Sequence, residues 1–155
     1  MKMYNLFSPM TVLRLVSYWP PMLFSGISVR DFDLDEGYIK VRLRSSFWNR
    51  NYFGTHYGGS ICSLCDPFYS FILLHQLGRE FIVWDKASKV TFVSATAEPV
   101  YATFSINKED LDQVREDALN NHKVEPIFET TVVDEGGNII AKVERTLYVK
   151  RKLRE

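Results

Sequence analysis

The sequence predicts an α+β domain in which one antiparallel sheet of about six strands wraps around a single long buried helix. Several short stretches alternate apolar and polar residues, which indicates strands with one face on a core. Residues 58–77 are apolar for too long to form a strand and stop at a glycine, which indicates a helix. Because such a helix needs cover on all sides, the sheet is expected to curve around it.

The composition is that of one globular domain. Of 155 residues, 46% are hydrophobic and 14% aromatic, which excludes intrinsic disorder. A chain of this length buries about 70% of the surface that it exposes when unfolded, so a single domain over residues 1–155 needs no disulfide or structural metal. Lys and Arg (19) balance Asp and Glu (19), which excludes a generally basic nucleic-acid binder, and we expect no nucleic-acid partner.

Residues 1–24 are predicted to form a helical extension rather than a targeting segment. Ser8 followed by Pro9 is typical of a helix start. Apolar residues then recur at helical spacing, at Val12, Leu15, Val16 and Trp19. Arg14 interrupts the apolar run and no cleavage site follows, which excludes a signal peptide. The longest later run without charge is 12 residues, against about 20 for a bilayer span, so we expect a soluble cytoplasmic protein.

The first half of the sheet is a predicted hairpin, and the long helix follows it. Residues 28–32 and 38–44 are predicted strands around a polar turn. The core-facing residues of the second strand are Ile39, Val41 and Leu43. The helix over residues 58–77 contains Pro67 beyond its first turn, which should bend the helix or delay its regular start.

The second half contributes four further strands and a surface helix. Residues 81–94 and 100–106 are predicted strands, and Asn107 caps the surface helix. The thin apolar stripe of that helix consists of Leu111, Val114 and Ala118. Residues 126–133 and 139–149 flank a glycine-containing connection and are predicted to form a hairpin.

Residues 51–66, NYFGTHYGGSICSLCD, carry the features that point to chemistry. Gly58 and Gly59 open the long helix, where free backbone N–H groups stabilise negative charge on a ligand oxygen. Asp66 follows in apolar surroundings, where a carboxylate is costly unless it is hydrogen-bonded, paired or functional. From the residues alone, Asp66 is either a catalytic carboxylate or a side chain that satisfies a neighbouring loop.

This segment resembles the helix-start motif of hotdog-fold acyl-CoA thioesterases of the phenylacetate-degradation type, through the shared spacing of Asn51, the pair Gly58–Gly59 and Asp66. The continuation, with Asp66-Pro67, Leu77-Gly78 and VWDKA at residues 83–87, resembles a hotdog group described as tetrameric acyl-CoA thioesterases. The similarity covers residues 51–66 well and residues 77–92 moderately.

The resemblance implies thioester hydrolysis without a metal or a nucleophile triad, and with no cofactor other than the coenzyme A of the substrate. Asp66 would activate water or attack the thioester carbon. The Gly58 N–H would polarise the carbonyl, with Gly59 allowing close approach, and Asn51 would orient the water or the carboxylate. Ser70, one turn after Asp66, is expected to hydrogen-bond the carboxylate or the water.

One departure from the motif leaves a second function open. The family usually has a histidine immediately before the glycine pair, where this chain has Tyr57 and carries a histidine one place earlier, at His56. The Tyr57 hydroxyl could still donate a hydrogen bond. The alternative function is a non-catalytic acyl-CoA or fatty-acyl binding protein.

The spacing of the motif also predicts an assembly. Gly58 and Asp66 are eight residues apart, which on one regular helix is about 12 Å, too far for one carbonyl group. We therefore expect a homodimer with two composite sites, and the resemblance adds a dimer of dimers.

The remaining candidates lie outside this motif. Lys150, Arg151 and Lys152, with Arg154, either hold coenzyme A phosphates or form a solvated tail. Cys62 and Cys65 are interpreted as small helix residues rather than as a redox or zinc pair, because zinc needs further ligands and no ligand-like histidine pair is present.

Overall fold

Residues 7–152, which the computed structural model describes, contain every predicted element. Two helices, α1 (Pro9–Leu15) and α2 (Pro20–Ser25), precede the strands β1 (Ile27–Asp33) and β2 (Tyr38–Leu43). The other elements are α3 (Gly58–Leu64), α4 (Phe68–Leu77), β3 (Phe81–Phe92), β4 (Val100–Ser105), α5 (Lys108–Asn120), β5 (Lys123–Val124), β6 (Ile127–Asp134) and β7 (Ile139–Arg151). Short 3-10 turns lie at Val16–Tyr18 and Phe47–Asn49.

The strands form one antiparallel sheet in the order β1–β2–β4–β6–β7–β3. The additional short strand β5, which the pattern does not predict, pairs with β7 beyond the end of β6. The residues of β2 that are predicted to face the core do so, since Ile39, Val41 and Leu43 are all fully buried. The stripe of α5 is also buried as predicted, and the Asn107 side chain accepts a hydrogen bond from the N–H of Asp110.

The helix α4 packs against β2, β3 and β4 and supplies the centre of the core. Phe68 and Tyr69 are buried, with ring centroids 5.3 and 5.1 Å from the ring of Phe104 on β4. The Tyr69 hydroxyl donates to the carbonyl oxygen of Glu129 at 2.7 Å, so its polar end has a partner inside the core. The prediction of a sheet wrapped around a buried helix is confirmed.

The buried segment predicted as one helix is interrupted at residues 65–67, between α3 and α4. The N–H groups of Cys65 and Asp66 close the last turn of α3, and Pro67 has no N–H with which to continue it. Asp66 therefore lies at a joint between two helices. The separation of about 12 Å between Gly58 and Asp66 assumed one regular helix, and that assumption does not hold here.

The N-terminal extension begins as predicted, because the Ser8 hydroxyl accepts a hydrogen bond from the N–H of Thr11. Its first six residues lie outside the described part of the chain. The apolar residues that recur at helical spacing are buried only in part. Leu13 and Val16 are buried, whereas Leu15 is exposed, because α1 ends at Leu15 and the chain continues in a 3-10 turn. Among the described residues, no helix is both long and apolar enough to cross a lipid bilayer.

The two outer strands of the sheet differ in how their edges are covered. On β1, the Ser17 hydroxyl accepts the N–H of Val29 at 2.9 Å, so the extension protects this edge. The outer edge of β3, the longer strand, has no partner strand within residues 7–152. Phe92 of β3 lies opposite the buried Ala141 and so faces the inner side of the sheet, yet it is 54% exposed. The β3 edge and the adjoining inner face are therefore left uncovered.

Candidate functional site

The loop that leads into α3 is held together by Asn51. Its amide nitrogen donates to the Thr55 hydroxyl (2.9 Å) and to the carbonyl oxygen of His56 (3.1 Å). Its amide oxygen accepts the N–H groups of Phe53 (2.9 Å) and Thr55 (3.2 Å). Both ends of the side chain are thus engaged by the loop itself, so Asn51 acts on the glycine pair by fixing the loop that delivers it.

Replacing Asn51 with Ala is expected to lower the free energy of unfolding by about 1–3 kcal/mol, because several hydrogen bonds of a partly buried loop are lost together. Chemical denaturation measures this loss. A matched control is Asn138→Ala, since Asn138 holds the β6–β7 turn through Asp134. If Asn51 acts through the glycine loop, only its variant also lowers ligand binding or turnover, and equal functional effects of the two variants would contradict this role.

Gly58 and Gly59 begin α3, and each lies beneath an aromatic ring. A Cβ at Gly58 would sit 3.1 Å from Cζ of Phe92, and a Cβ at Gly59 would overlap the ring of Tyr57. The N–H groups of a first helical turn have no partner within the helix. The Tyr57 side chain makes no capping hydrogen bond and is mostly exposed. The glycine pair therefore leaves backbone donors approachable between two rings.

A cavity of about 320 Å³ lies beside this helix start, and Asn51, His56, Gly58 and Phe92 contribute to its lining. His56 is buried, and its Nε2 lies 2.8 Å from the carbonyl oxygen of Glu98, so Nε2 carries the proton. In the described structure, its Nδ1 has no hydrogen-bond partner.

Asp66 belongs to a second cluster. Its Oδ2 lies 3.2 Å from Nη2 of Arg145, and its side chain is 55% exposed, so the apolar residues that flank it in sequence do not enclose the carboxylate in the single chain. The Ser70 hydroxyl donates to Oδ2 of Asp85 at 2.7 Å, not to Asp66. The predicted contact between Ser70 and Asp66 is therefore corrected, because Asp85 and Arg145 lie between them.

Arg145 is a site residue that the sequence analysis does not identify, whereas Asp85 lies in the VWDKA stretch of the resemblance, near the place where the resembled family has a polar residue after the helix. A signal for Arg145 is present in β7, where it occupies a core-facing position between the buried Val143 and Leu147. Burial lowers the pKa of the Arg145 guanidinium, but the hydrogen bonds and charges of Asp85 and Asp66 outweigh burial and raise it. Arg145 is therefore cationic at every accessible pH.

Within one protomer the two clusters touch different parts of β3. Phe92, which contacts Gly58, ends the strand, and Asp85, which binds Arg145, lies roughly 23 Å earlier at about 3.3 Å per residue. The structure thus brings Asn51, Tyr57, Gly58 and Gly59 together in one cluster. It places Asp66 with Arg145, Asp85 and Ser70 in the other.

The C-terminal cations lie at the beginning of β3. Lys150 is opposite Ile82 and Arg151 is opposite Phe81. The ammonium group of Lys152 donates to the carbonyl oxygen of Arg79. Since Phe81 and Phe92 are the two ends of β3, these cations are far from Gly58 of the same protomer. The fourth predicted cation, at position 154, lies outside the described residues.

Cys62 and Cys65 are free thiols, and Cys65 is buried. Burial raises the pKa of the Cys65 thiol to about 12, so at pH 8 only about one molecule in 10⁴ carries the reactive thiolate. Among residues 7–152, no three His, Cys, Asp or Glu side chains are grouped to hold a metal ion.

We expect a thiol reagent at pH 8 to label at most Cys62 rapidly in the native protein. In denaturant both cysteines should react, because Cys65 is then exposed at its ordinary pKa. Mass spectrometry of labelled peptides separates the two positions. Rapid native labelling of Cys65 would contradict its burial.

Comparisons with known proteins extend these observations. A family model described as a domain of unknown function, DUF4442, matches residues 9–149. No curated protein matches the chain significantly.

Solved structures match over most of their length. One is a protein of unknown function from Pseudomonas aeruginosa, described as a probable thioesterase, with a TM-score of 0.81 at 18% identity, covering 93% of this chain and 97% of that one. Thioesterase HI1161 from Haemophilus influenzae has a TM-score of 0.67 at 13% identity, covering 96% and 94%. A mutant of thioesterase PA1618 from Pseudomonas aeruginosa has a TM-score of 0.70 at 11% identity, covering 92% and 94%. At such identities the likeness establishes the fold, which is the hotdog fold.

Proposed function

We propose that this protein, which belongs to the DUF4442 family, hydrolyses the thioester of an acyl-coenzyme A by carboxylate-assisted attack of water. The observation that carries the proposal is the environment of the Asp66 carboxylate. One of its oxygens is anchored by a buried arginine, while the side chain as a whole is 55% exposed at a helix joint. A carboxylate held in this way suits a general base.

The proposed reaction needs a carboxylate and an oxyanion donor on the same carbonyl group. Asp66 takes a proton from water, whose oxygen bonds to the thioester carbon. The Gly58 N–H stabilises the negative charge that develops on the carbonyl oxygen, and Gly59 leaves room for its approach. Collapse of the intermediate breaks the carbon–sulfur bond and expels the thiolate of coenzyme A, which takes the proton from Asp66 and leaves as the thiol.

A homodimer would bring the two clusters together. The uncovered edge of β3 supports strand pairing between two copies, which would also cover the exposed face at Phe92. If the two β3 strands pair antiparallel about a two-fold axis near Ser88 and Lys89, Asp85 of one copy lies beside the partner's Phe92. Asp66 of one protomer then approaches the Gly58 region of the other. Two such dimers would form the predicted dimer of dimers.

The proposed dimer also suggests where the two ends of the substrate bind. Lys150, Arg151 and Lys152 of one protomer, at the beginning of β3, would lie towards the partner's glycine pair and could bind coenzyme A phosphates. A groove of about 580 Å³ runs beside Tyr57 and Gly59, with Phe24 and Trp48 on its walls. Its aromatic lining supports an apolar acyl group as the other end of the ligand.

Release of free thiol from short, long and aromatic acyl-coenzymes A tests the proposal, and turnover of at least one of them is expected. The alternative function, non-catalytic binding of acyl-coenzyme A, is favoured by one observation: Tyr57 stands in the place where the resembled hotdog thioesterase motif usually has histidine, and its side chain makes no capping hydrogen bond. Binding of these ligands with no release of thiol would support the alternative and contradict hydrolysis.

A further inference from the structure

Arg145 is a charged side chain at a core position. It is 4% exposed and shares its face of β7 with Ala141, Val143 and Leu147, which are also buried. A buried charge is strongly unfavourable unless it is paired and hydrogen-bonded. Its partners therefore reveal why the position holds arginine.

Asp85 satisfies most of this requirement. Its Oδ1 accepts Nε of Arg145 at 3.0 Å and also Nη2, and its Oδ2 accepts the Ser70 hydroxyl at 2.7 Å. Both carboxylate oxygens are engaged, so Asp85 and the guanidinium plane are fixed together between β3, β7 and α4. This pair alone would balance the charge of Arg145.

The contact between Arg145 and Asp66 is not needed to balance the charge of Arg145. Nη2 of Arg145 also lies 3.2 Å from Oδ2 of Asp66, and among residues 7–152 this is the one polar contact of the Asp66 side chain. Asp66 lies between two helices, where its N–H closes the last turn of α3 but the helix does not continue past it. Arg145, held by Asp85 and Ser70, thus contacts a largely exposed carboxylate at the joint.

We infer that Arg145, oriented by Asp85 and Ser70, is a positioning residue that holds Oδ2 of Asp66 and leaves Oδ1 directed at the reacting water. Arginine suits this task because its planar group binds the Asp85 carboxylate through Nε and Nη2 while Nη2 also lies at ion-pair distance from the Asp66 carboxylate. The catalytic consequence rests on the proposed function of Asp66. The structural consequence, that Asp66 and Arg145 are coupled in their effects on stability, does not depend on that function.

Kinetics test the catalytic consequence. Arg145→Met should lower kcat at least about tenfold with KM changed less than about twofold, because the substrate contacts remain while the base is misaligned. Arg145→Lys should restore part of kcat. Lys86→Met is the matched control, since it removes the exposed pair with Glu125 beside Asp85 on the same strand without touching Asp66. A folded Arg145→Met protein with the wild-type kcat would overturn the inference; if that variant does not fold, an unchanged kcat in both Arg145→Lys and Asp85→Asn would overturn it.

A thermal double-mutant cycle of Asp66→Asn and Arg145→Lys separates this inference from the proposed function, because it needs no substrate. The inference expects the combined loss of Tm to be smaller than the sum of the single losses. Additive losses overturn the coupling whether or not the protein is an enzyme. Non-additive losses in a protein without thioesterase activity would support the coupling between Asp66 and Arg145 and would contradict the proposed hydrolysis.

Discussion

Replacing Asp66 with Asn is expected to reduce the release of thiol from acyl-coenzyme A by at least about 100-fold. Asn keeps the size of the side chain but cannot take a proton from water, and general base catalysis contributes about 10²–10⁴ to rates. The measurement is thiol release under conditions that saturate the wild-type protein. Because Asp66 is largely exposed, the substitution should leave the fold intact, which circular dichroism checks.

The matched control for this experiment is Asp112→Asn on α5, an exposed carboxylate away from both clusters. It loses the same charge and should keep the wild-type rate. Equal turnover by wild type and Asp66→Asn would remove Asp66 from the mechanism, and equal losses in both variants would indicate an effect of overall charge.

Mixing two inactive variants is expected to restore activity if the sites are composite. One variant is Asp66→Asn, which keeps the glycine pair. The other is Gly58→Val, whose side chain would press on Phe92 and block the approach to the N–H groups. After random exchange of subunits, about a quarter of the sites combine an intact Asp66 with an intact Gly58 from the other chain, so roughly a quarter of the wild-type rate should return.

Exchange is achieved by unfolding and refolding the two variants together, and each variant refolded alone serves as the control. A site formed within one chain could not recover, because every chain carries one defect. A mixture no more active than its components, in which exchange is shown by a tagged copy, would therefore contradict the composite site. A monomer in sedimentation at assay concentration would contradict it as well.

Local pattern was sufficient for most of the secondary structure. The period of two in β2, the cap at Ser8 and the cap at Asn107 involve neighbours in sequence, so they can be read without knowing the fold. Pro67 predicts a bend or a delayed regular start for the same reason, and the structure has a full interruption there. Local pattern does not show that Leu13 rather than Leu15 is buried, because that choice depends on where α4 and the sheet lie.

The features of the candidate site can also be separated into those that local sequence determines and those that the fold determines. The sequence by itself determined the glycine start of α3, the position of Asp66 beyond it and the hotdog architecture, since these follow from spacing within one segment and from its resemblance to a known motif. Only the tertiary structure decided that Asn51 is engaged by its own loop and that Ser70 binds Asp85. It also decided that Arg145 connects Asp85 to Asp66. Asp85 and Arg145 meet because β3 pairs with β7, where Asp85 lies opposite Leu147 and Arg145 lies opposite Ser88, and such a register is set by the packing of the whole sheet.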